Sequence, residues 1–472
     1  MNKNRVRFAP SPTGIMHIGN VRTALLNYLF ALKTNGTFIL RIEDTDRSRN
    51  IDPQASQIIS HLEWLDINYQ EGPGVGGSYG PYFQSQRHDI YQAQLEKLKV
   101  KNAVYPCFCT HEELERKRNR QIALKNPPRY DRICAKLSAE NVINNIDSQV
   151  SFIWRMKFDE TKTLEFNDLG HGILNFDLKN FSDFAVTRED GTFTFMFANC
   201  IDDIEMEMTH VLRGEDHMTN TVGQVAIMQA IGHTIPIFWH LPILCNTTGK
   251  KLSKRDQGFS LEDLKVAGFL PHAIINYLAI IGGSFEKEIL TMPELAQAYK
   301  FDNINTSSQI KYDIEKMRWF NHKWIAKTPI TELVELCKPF LAEKYDLSQV
   351  TDEQLYILIQ SVQTDIILLP DACVLVDFYF NQPTLTQEKI SENITNPTTV
   401  ENIREIFRNQ KEAQDFQSFF GNAKKEAQAS NINLKEFFSF FRIMITGTPK
   451  GLGIVELEKC LGFEEIKNRI YK

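Results

Sequence analysis

RFAPSPTGIMHIGN, residues 7–20, decides the fold of this chain, because its prolines and glycines separate a predicted strand from a predicted helix. Before the turn, Val6 and Phe8 alternate with arginines, which is the period-two pattern of a strand. After His17 apolar residues recur at helical spacing, and Gly36 is predicted to end the helix. TFILRIEDTD then predicts a second strand. This order opens an α/β fold with a Rossmann-like, doubly wound parallel sheet.

The turn also suits a phosphate-binding site. The first turn of a helix presents unpaired backbone N–H groups and the positive end of the helix dipole, which together attract phosphate. His17 stands at this point, and Gly19 leaves room for a flat ligand such as a nucleobase. The chain has neither a P-loop pattern nor a G-x-G-x-x-G after the first strand. Taken alone, the stretch is equally compatible with a tight turn and a capping histidine.

A second basic feature is GKKLSKRDQG, residues 249–258. Its cations are Lys250, Lys251, Lys254 and Arg255, and glycines bound the segment on both sides. Cations on a mobile loop can close over a polyphosphate and neutralise charge as it develops. A solvated basic loop is the alternative interpretation of this run of charge.

The composition is that of an ordinary globular protein. The chain has 472 residues, 42% of them hydrophobic and 24% charged, with a formal net charge of −6. The first residues, MNKNRVRFAP, contain no apolar core of a signal peptide, and no stretch predicts a membrane span. The eight cysteines are scattered, which favours a reducing, cytoplasmic location with mostly free thiols.

The chain is predicted to divide into a catalytic half and a helical appendage. A helix is predicted over residues 84–100, and TFTFMFANCIDD and MTHVLRGEDH are predicted to return the chain to the parallel sheet. Helical periodicity dominates after about residue 260. The predicted boundaries are 1–110 and 191–245 for the two halves of the catalytic domain, 111–190 for an α+β insertion, 246–325 for the basic loop and following helices, and 326–472 for an all-α domain.

The two basic features together carry a specific resemblance. His-Ile-Gly-Asn at residues 17–20 and Lys-Leu-Ser-Lys-Arg at residues 251–255 resemble the HIGH and KMSKS motifs of class I aminoacyl-tRNA synthetases. RIEDTDR, YFQSQR, VLRGEDH and the C-terminal MITGTPKGLGIVELEKCLG extend the similarity to the bacterial glutamyl-tRNA synthetase family. The resemblance implies an acceptor-stem-binding insertion, a stem-contact region after the KMSKS-like loop and an all-α anticodon-binding domain.

This family joins glutamate to ATP, releases diphosphate, and transfers the glutamyl group to the 3′-terminal adenosine of tRNA(Glu) with release of AMP. The resemblance therefore implies a glutamate–tRNA ligase that uses ATP with Mg²⁺ and acts as a cytoplasmic monomer. The family's catalytic residues, which stabilise charge on the phosphates, correspond to His17, Lys251 and Lys254. The ATP site is expected to comprise Pro10, His17, Gly19, Asn20, Lys251, Ser253 and Lys254.

Two arginines hold glutamate in this family, because a guanidinium binds a carboxylate through two parallel hydrogen bonds. A carboxylate faces the substrate ammonium, and in this chain it corresponds to Glu43. Phe195 departs from the family pattern, which often has tyrosine there, so a phenolic hydrogen bond to the substrate is missing. The expected glutamate site comprises Arg7, Ser11, Glu43, Asn199 and Arg213.

Cys107, Cys109 and Cys134 are the cysteines with suggestive spacing. Some relatives bind zinc here through a C-x-C…C-x-H set, but Lys136 stands at the histidine position. Truncated relatives use a tyrosine four residues before the last cysteine, and Tyr130 occupies that position. Three thiolates and a phenolate would make a four-coordinate zinc site. Three reduced cysteines in a zinc-free fold are the alternative.

The insertion is dense in lysine and arginine between residues 116 and 136, which suits contacts with tRNA phosphates. A solvated helix face is the alternative, because glutamates lie among these cations. The C-terminal helices would contact single-stranded anticodon bases. Two other activities stay open: a ligase that glutamylates tRNA(Gln), alone or together with tRNA(Glu), for an amidotransferase, and a catalytically silent tRNA-binding paralogue.

Overall fold

A computed structural model describes the chain over residues 3–12, 14–46, 50, 52, 54–253, 256, 258–300, 309–385, 390–392, 394, 396–449 and 451–471. The chain forms two compact units. The first comprises Met1–Leu264 and Ile274–Ile314, and the second comprises Lys265–Ala273 and Glu315–Lys472. In the part of the chain that is described, every strand belongs to the first unit.

The strands in chain order are β1 Arg5–Phe8, β2 Thr37–Leu40, β3 Val104–Cys107, β4 Ile153–Met156, β5 Thr163–Asp168, β6 Gly172–Asp177, β7 His210–Gly214, β8 Ile237–Leu241, β9 Leu244–Cys245 and β10 Ile310–Lys311. The helices up to residue 300 are α1 Ile18–Thr34, α2 Ser56–Trp64, α3 His88–Val100, α4 His111–Ala123, α5 Ala139–Asp147, α6 Phe195–Glu205, α7 Met218–Ile231, α8 Leu261–Val266, α9 Pro271–Ile280 and α10 Met292–Ala298. The later helices are α11 Ile314–Ile325, α12 Ile330–Lys344, α13 Asp352–Val362, α14 Asp371–Leu375, α15 Asp377–Phe380, α16 Pro397–Asn409, α17 Phe416–Ala429, α18 Leu434–Thr446, α19 Ile454–Leu461 and α20 Phe463–Tyr471.

β1 pairs with β2 and lies beside β7, the edge strand of a second sheet with the order β6-β5-β8-β7. β1 and β2 are parallel, with Arg5 opposite Thr37. On the other side of β1, the Thr209 N–H donates to the Arg5 carbonyl at 3.1 Å, one residue before β7 begins. β7 in turn pairs in parallel with β8. Helices connect β1 to β2 and β7 to β8, so the predicted Rossmann-like α/β class is confirmed.

β1 departs from its predicted alternation, because Val6, Arg7 and Phe8 are all buried. A parallel sheet is covered on both faces, so its strands need not have a solvated side. Arg7 is only 3% exposed, and its charge must therefore be compensated inside the protein. The short opening strand thus brings a buried cation to the centre of the first unit.

α1 begins after His17, as the periodicity predicts, and ends at Thr34. The residue that closes the helix is Asn35, whose φ of 49° lies in the left-handed region, and the prediction that Gly36 does so is wrong. Asparagine tolerates this conformation because its short polar side chain can bond locally.

α6 corrects a second prediction. The segment TFTFMFANCIDD does not return to the sheet as a strand but forms this helix, and the strand itself is β7. Its alternation of phenylalanines ends at Phe197, after which Ile201 and Ile204 are buried at helical spacing. The same helix carries Asp202 and Asp203, which are also buried.

Residues 111–190 are paired with the rest of the first unit at both ends. β3 pairs antiparallel with β4, and β5 forms a hairpin with β6. Asp168, the last residue of β5, lies opposite Phe238 of β8 in a parallel pairing. The predicted domain boundaries stay a prediction, since the two compact units divide the chain elsewhere.

The second unit is helical, as the periodicity after residue 325 predicts. Its last helices pack around aromatic side chains, of which Phe407, Phe419, Phe437, Phe440 and Phe441 are fully buried. These phenylalanines therefore form the core rather than a surface for stacking bases. None of the helices described has both the length and the apolar character needed to cross a membrane.

Candidate active site

A cleft of about 550 Å³ opens at the carboxyl ends of β1, β7 and β8, beside the first turn of α1. Open α/β sheets bind their ligands at this edge. The predicted ATP and glutamate residues that line it are Arg7, Pro10, Ser11, His17, Gly19, Asn20, Glu43, Asn199, Arg213 and Lys251. Residues that are distant in sequence therefore meet at one cleft.

His17 caps α1 and faces the cleft. Its backbone is extended, and its Nδ1 accepts the N–H of Asn20 at 3.3 Å. Burial and the nearby charge of Lys251 lower the pKa of His17, so the ring is neutral at pH 7. Because Nδ1 is an acceptor, the proton of the neutral ring lies on Nε2. The side chain can then donate to a phosphate oxygen beside the helix N-terminus.

Gly19 leaves the space that the His17 ring occupies, because it has no side chain. A Cβ at this position would come within 3.0 Å of the His17 ring. The ring also stacks on Phe259 with 5.2 Å between centroids, and the Phe259 carbonyl accepts the N–H of Ile18 at 3.0 Å. The position of the His17 side chain is thus fixed by packing as well as by its capping bond.

A buried ion network lies at the end of β1. Arg7 donates to both carboxylate oxygens of Asp203, at 3.0 and 3.2 Å. Arg41 donates to Asp203 at 2.7 Å and to Glu43 at 3.1 Å. Burial alone would raise the pKa of Asp203, but these guanidinium groups bring it below its ordinary value. Arg7 is therefore already paired with a carboxylate, although it lines the cleft.

Arg213 has a different environment. Its Nη2 donates to Thr221 Oγ1 at 2.5 Å and to Gln224 Oε1 at 2.6 Å, and both acceptors are neutral. Among the described residues no carboxylate forms an ion pair with it, and its Nε has no hydrogen-bond partner. Burial and the like charge of Arg7 lower the pKa of Arg213 to about 10, so it stays charged at pH 7. A buried cation of this kind is costly unless a ligand supplies an anion.

Gln224 joins the predicted glutamate residues into one network. Its Nε2 donates to Asn199 Oδ1 at 2.7 Å, and Asn199 Nδ2 donates to Glu43 Oε1 at 2.5 Å. Burial raises the pKa of Glu43 above its ordinary value. Phe195 lines the cleft beside this network, with its ring 6.0 Å from that of His217.

The basic loop contributes Lys251 to the cleft. Lys251 Nζ lies 3.1 Å from Asp216 Oδ2, and its side chain is 65% exposed. Ser253, by contrast, does not line the cleft, because its N–H and hydroxyl donate to Asp256 at 2.8 and 2.9 Å. Lys254 lies outside the described residues.

Several residues of this site carry no motif. Arg22 lines the cleft and is 2% exposed, and within the described part of the chain its Nε and Nη2 have no hydrogen-bond partner. Asp203 and Gln224 complete the networks around Arg7 and Arg213. All three are polar residues on helices that are largely buried. Such residues are buried only with partners or for function.

Cys107, Cys109 and Cys134 come together as the spacing suggests, with their sulfur atoms all within 4.8 Å of one another. The Tyr130 hydroxyl lies 3.2 Å from Cys107 Sγ and 3.6 Å from Cys109 Sγ. In a tetrahedral site with Zn–S bonds near 2.3 Å, sulfur atoms stand about 3.8 Å apart. These four side chains therefore fit zinc both in spacing and in donor chemistry, while Lys136 is exposed.

The basic residues of the insertion divide into two groups. Lys117 pairs with Asp131 at 2.9 Å, and Arg132 pairs with the buried carboxylate of Asp183 at 2.9 Å, so both cations already have an acidic partner within the protein. Exposed cations remain on α4, where no residue is buried. They are Arg116, Arg118 and Arg120.

Two family models match the chain. The catalytic domain of class I tRNA synthetases (E and Q) matches residues 3–319, and an anticodon binding domain matches residues 332–472. The chain therefore belongs to the class I tRNA synthetases of the glutamate and glutamine type, which confirms the resemblance carried by its motifs.

Within that class, the similar curated proteins are glutamate–tRNA ligases. The one from a Sulfurihydrogenibium species is 37% identical and covers 99% of this chain and 98% of its own length. The Bacillus subtilis ligase is 35% identical and covers 99% of both. The solved structure of a glutamate tRNA ligase from Elizabethkingia meningosepticum, in complex with its amino acid, is 30% identical with a TM-score of 0.91. It covers 99% of this chain and 98% of that chain.

Proposed function

We propose that this protein is a glutamate–tRNA ligase, which activates glutamate with ATP and transfers it to the 3′-terminal adenosine of tRNA(Glu). Similarity over the full chain to ligases of that name supports the reaction. The observation that carries the choice of amino acid is Arg213, a buried guanidinium in the cleft whose acceptors are both neutral. A substrate carboxylate compensates such a charge, whereas the amide of glutamine leaves it uncompensated.

The amino-acid end of the cleft recognises both poles of glutamate. Arg213 binds the side-chain carboxylate, and Glu43 accepts from the substrate ammonium. Asn199 and Ser11 contribute further polar contacts, since both line the same cleft. Arg7 contacts the substrate with the part of its guanidinium that Asp203 does not occupy, because only its Nε and Nη2 are committed to that carboxylate.

The phosphate end needs cations and N–H donors rather than a base, because the attacking carboxylate is already ionised at pH 7. A glutamate carboxylate oxygen attacks the α-phosphorus of ATP, and the bond to the diphosphate leaving group breaks. His17 Nε2–H and the first turn of α1 stabilise the phosphate oxygens, with Lys251 and Lys254 as cations. Mg²⁺ accompanies the ATP and neutralises part of its charge. In the second step a ribose hydroxyl of the tRNA attacks the acyl carbon and AMP leaves.

Charging of purified tRNA tests this function. Labelled glutamate should be attached to tRNA(Glu) in the presence of ATP, and labelled glutamine should not be attached to either tRNA. Attachment of glutamate to tRNA(Gln) as well would define a non-discriminating ligase. No glutamylation of either tRNA would contradict the proposal and point to a silent tRNA-binding paralogue. The tRNA must be present throughout, because glutamate activation usually requires it in this family.

The exposed arginines of α4 and the helical second unit are the proposed tRNA-binding regions. Arg116, Arg118 and Arg120 can contact phosphates, because no residue of α4 is buried and their charges face solvent. The second unit matches an anticodon binding domain, which supports anticodon recognition there. We further propose a cytoplasmic location, because none of the eight cysteines is in a disulfide. A monomer is the expectation for this family. Light scattering of the purified protein measures its oligomeric state.

We also propose a structural zinc ion held by Cys107, Cys109, Tyr130 and Cys134. Protein purified without chelator should contain about one equivalent of zinc, and less than about half an equivalent would contradict the site. Cys134→Ser should lose the metal and lower the melting temperature, because metal binding contributes to folding. Cys373→Ser, which changes a buried thiol in the second unit instead, should keep the zinc. Atomic absorption and thermal melting measure both effects.

A further inference from the structure

A chain of buried hydrogen bonds leads away from Arg213 Nη2, the same nitrogen that donates to Gln224. Arg213 Nη2 donates to Thr221 Oγ1, which lies 2.7 Å from His240 Nε2. His240 Nδ1 lies 2.6 Å from Asp168 Oδ2. Thr221, His240 and Asp168 are each no more than 1% exposed. None of these three carries a sequence motif, and none lines the cleft.

The donors in this chain all point the same way. A carboxylate only accepts, so the proton of His240 lies on Nδ1 and is donated to Asp168. The backbone N–H of His240 donates to the same oxygen at 3.0 Å, which fixes the ring relative to Asp168. Burial lowers the pKa of His240 and keeps the ring neutral at pH 7. The Thr221 hydroxyl lies 2.7 Å from His240 Nε2 and 3.2 Å from the carbonyl oxygen of His217, so its proton is donated to the nearer His240 nitrogen. The Thr221 oxygen is left to accept from Arg213.

This arrangement orients a guanidinium without neutralising it. Arg7, whose partner is the Asp203 carboxylate, shows the usual alternative within the same unit. Around Arg213 the acceptors are a hydroxyl and an amide, and the carboxylate of Asp168 is placed two hydrogen bonds away. Arg213 thus has no direct carboxylate partner among the described residues, while two hydrogen bonds from its Nη2 orient the side chain.

We propose that Thr221, His240 and Asp168 are positioning residues for amino-acid recognition, which hold Arg213 in the orientation that binds the glutamate side chain. The proposal rests on the role of Arg213 proposed above. It predicts that breaking the chain weakens glutamate binding while ATP binding is preserved, because ATP is bound at His17 and the basic loop. The Michaelis constants for the two substrates therefore separate this role from a general structural one.

Thr221→Val tests the proposal, because it removes the hydroxyl but keeps the shape of the side chain. In aminoacylation of tRNA(Glu), the KM for glutamate should rise about tenfold or more, and the KM for ATP should stay within about twofold. Thr221→Ser retains the hydroxyl and should restore a KM for glutamate near that of the wild type. His240→Phe keeps a ring among Phe166 and Phe238 but removes the acceptor, and should resemble Thr221→Val.

Thr187→Val is the matched control. The buried Thr187 hydroxyl accepts the backbone N–H of Trp154 at 2.9 Å, and Thr187 does not line the cleft. This substitution should lower the melting temperature without changing either KM. A glutamate KM within twofold of the wild type in both Thr221→Val and His240→Phe would overturn the inference. So would a rise of the glutamate KM in Thr221→Ser as large as that in Thr221→Val. If Arg213→Gln also leaves the glutamate KM unchanged, the proposed role of Arg213 itself is wrong. Should Thr221→Val fold poorly, the glutamate-induced rise in melting temperature of His240→Phe provides the same test.

Discussion

Arg213→Gln is expected to raise the KM for glutamate by about two to three orders of magnitude, because the substrate carboxylate would then lose a cleft arginine that has no carboxylate partner among the described residues. Glutamine is polar but uncharged. The substitution therefore removes the ion pair with the substrate carboxylate and keeps a side chain that can form hydrogen bonds. The KM for ATP should change little, since the proposed phosphate ligands lie at the first turn of α1 and in the basic loop.

The melting temperature of Arg213→Gln, measured with and without glutamate, tests the same prediction independently of kinetics. Among the described residues Arg213 has no ion pair, and burial together with the like charge of Arg7 lowers its pKa. Loss of Arg213 should therefore leave the melting temperature without substrate unchanged or higher, and abolish the increase that glutamate produces. Thermal melting with and without glutamate measures both quantities.

Arg5→Gln is the matched control for the Arg213 substitution. Arg5 lies on β1, two residues from Arg7, and binds both oxygens of Glu71 at 2.8 and 3.0 Å. It does not line the cleft. Its substitution should reduce the melting temperature while the KM for glutamate stays at the wild-type value. An unchanged glutamate KM in Arg213→Gln, alongside this control, would contradict the proposed role of Arg213.

Lys251→Ala is expected to reduce kcat by about two to three orders of magnitude, with the KM for glutamate unchanged. In the structure Lys251 Nζ pairs with Asp216, but the lysine and aspartate side chains are 65% and 47% exposed. Such an exposed pair contributes little to stability. The ammonium group can therefore leave Asp216 for the phosphates at no great cost, which suits a residue that acts in the transition state.

Lys250→Ala provides the control in the same loop. Lys250 is the neighbouring lysine, it is exposed, and it does not line the cleft. The two variants should be compared by their single-turnover rates of tRNA(Glu) glutamylation, because these rates do not include product release. Equal rates for Lys250→Ala and Lys251→Ala would contradict a specific role for Lys251 in catalysis.

The local features of the fold could be predicted from sequence because they depend on local chemistry. A period-two strand, a turn rich in proline and glycine and a helix capped by His17 all follow from neighbouring residues. The prediction for α6 failed because three alternating phenylalanines imitate a strand, while the tertiary packing of Ile201 and Ile204 favours a helix. The predicted cap was wrong by one residue because both asparagine and glycine tolerate the left-handed conformation, and the helix ends at Asn35.

The site was predictable only as far as family resemblance identifies its residues. The resemblance names Arg7 and Arg213 alike, but it cannot show that one is paired with Asp203 and the other has neutral acceptors. That difference arises from residues far apart in the chain, and no spacing rule connects them. Gln224 and His240 were missed because a single polar residue in an apolar segment has no partner until the fold supplies it.

Burial of Arg7 has a consequence for synthesis of the chain. Its partner Asp203 is 196 residues away, and the bond between Arg5 and Thr209 spans 204 residues. At ribosomal rates of 5–20 residues per second, about 10–40 seconds separate the two halves of these contacts. During that interval Arg5 can already pair with Glu71, but the Asp203 carboxylate that pairs with Arg7 has not been made. Translation must therefore pass α6 before the charge of Arg7 can be compensated by Asp203.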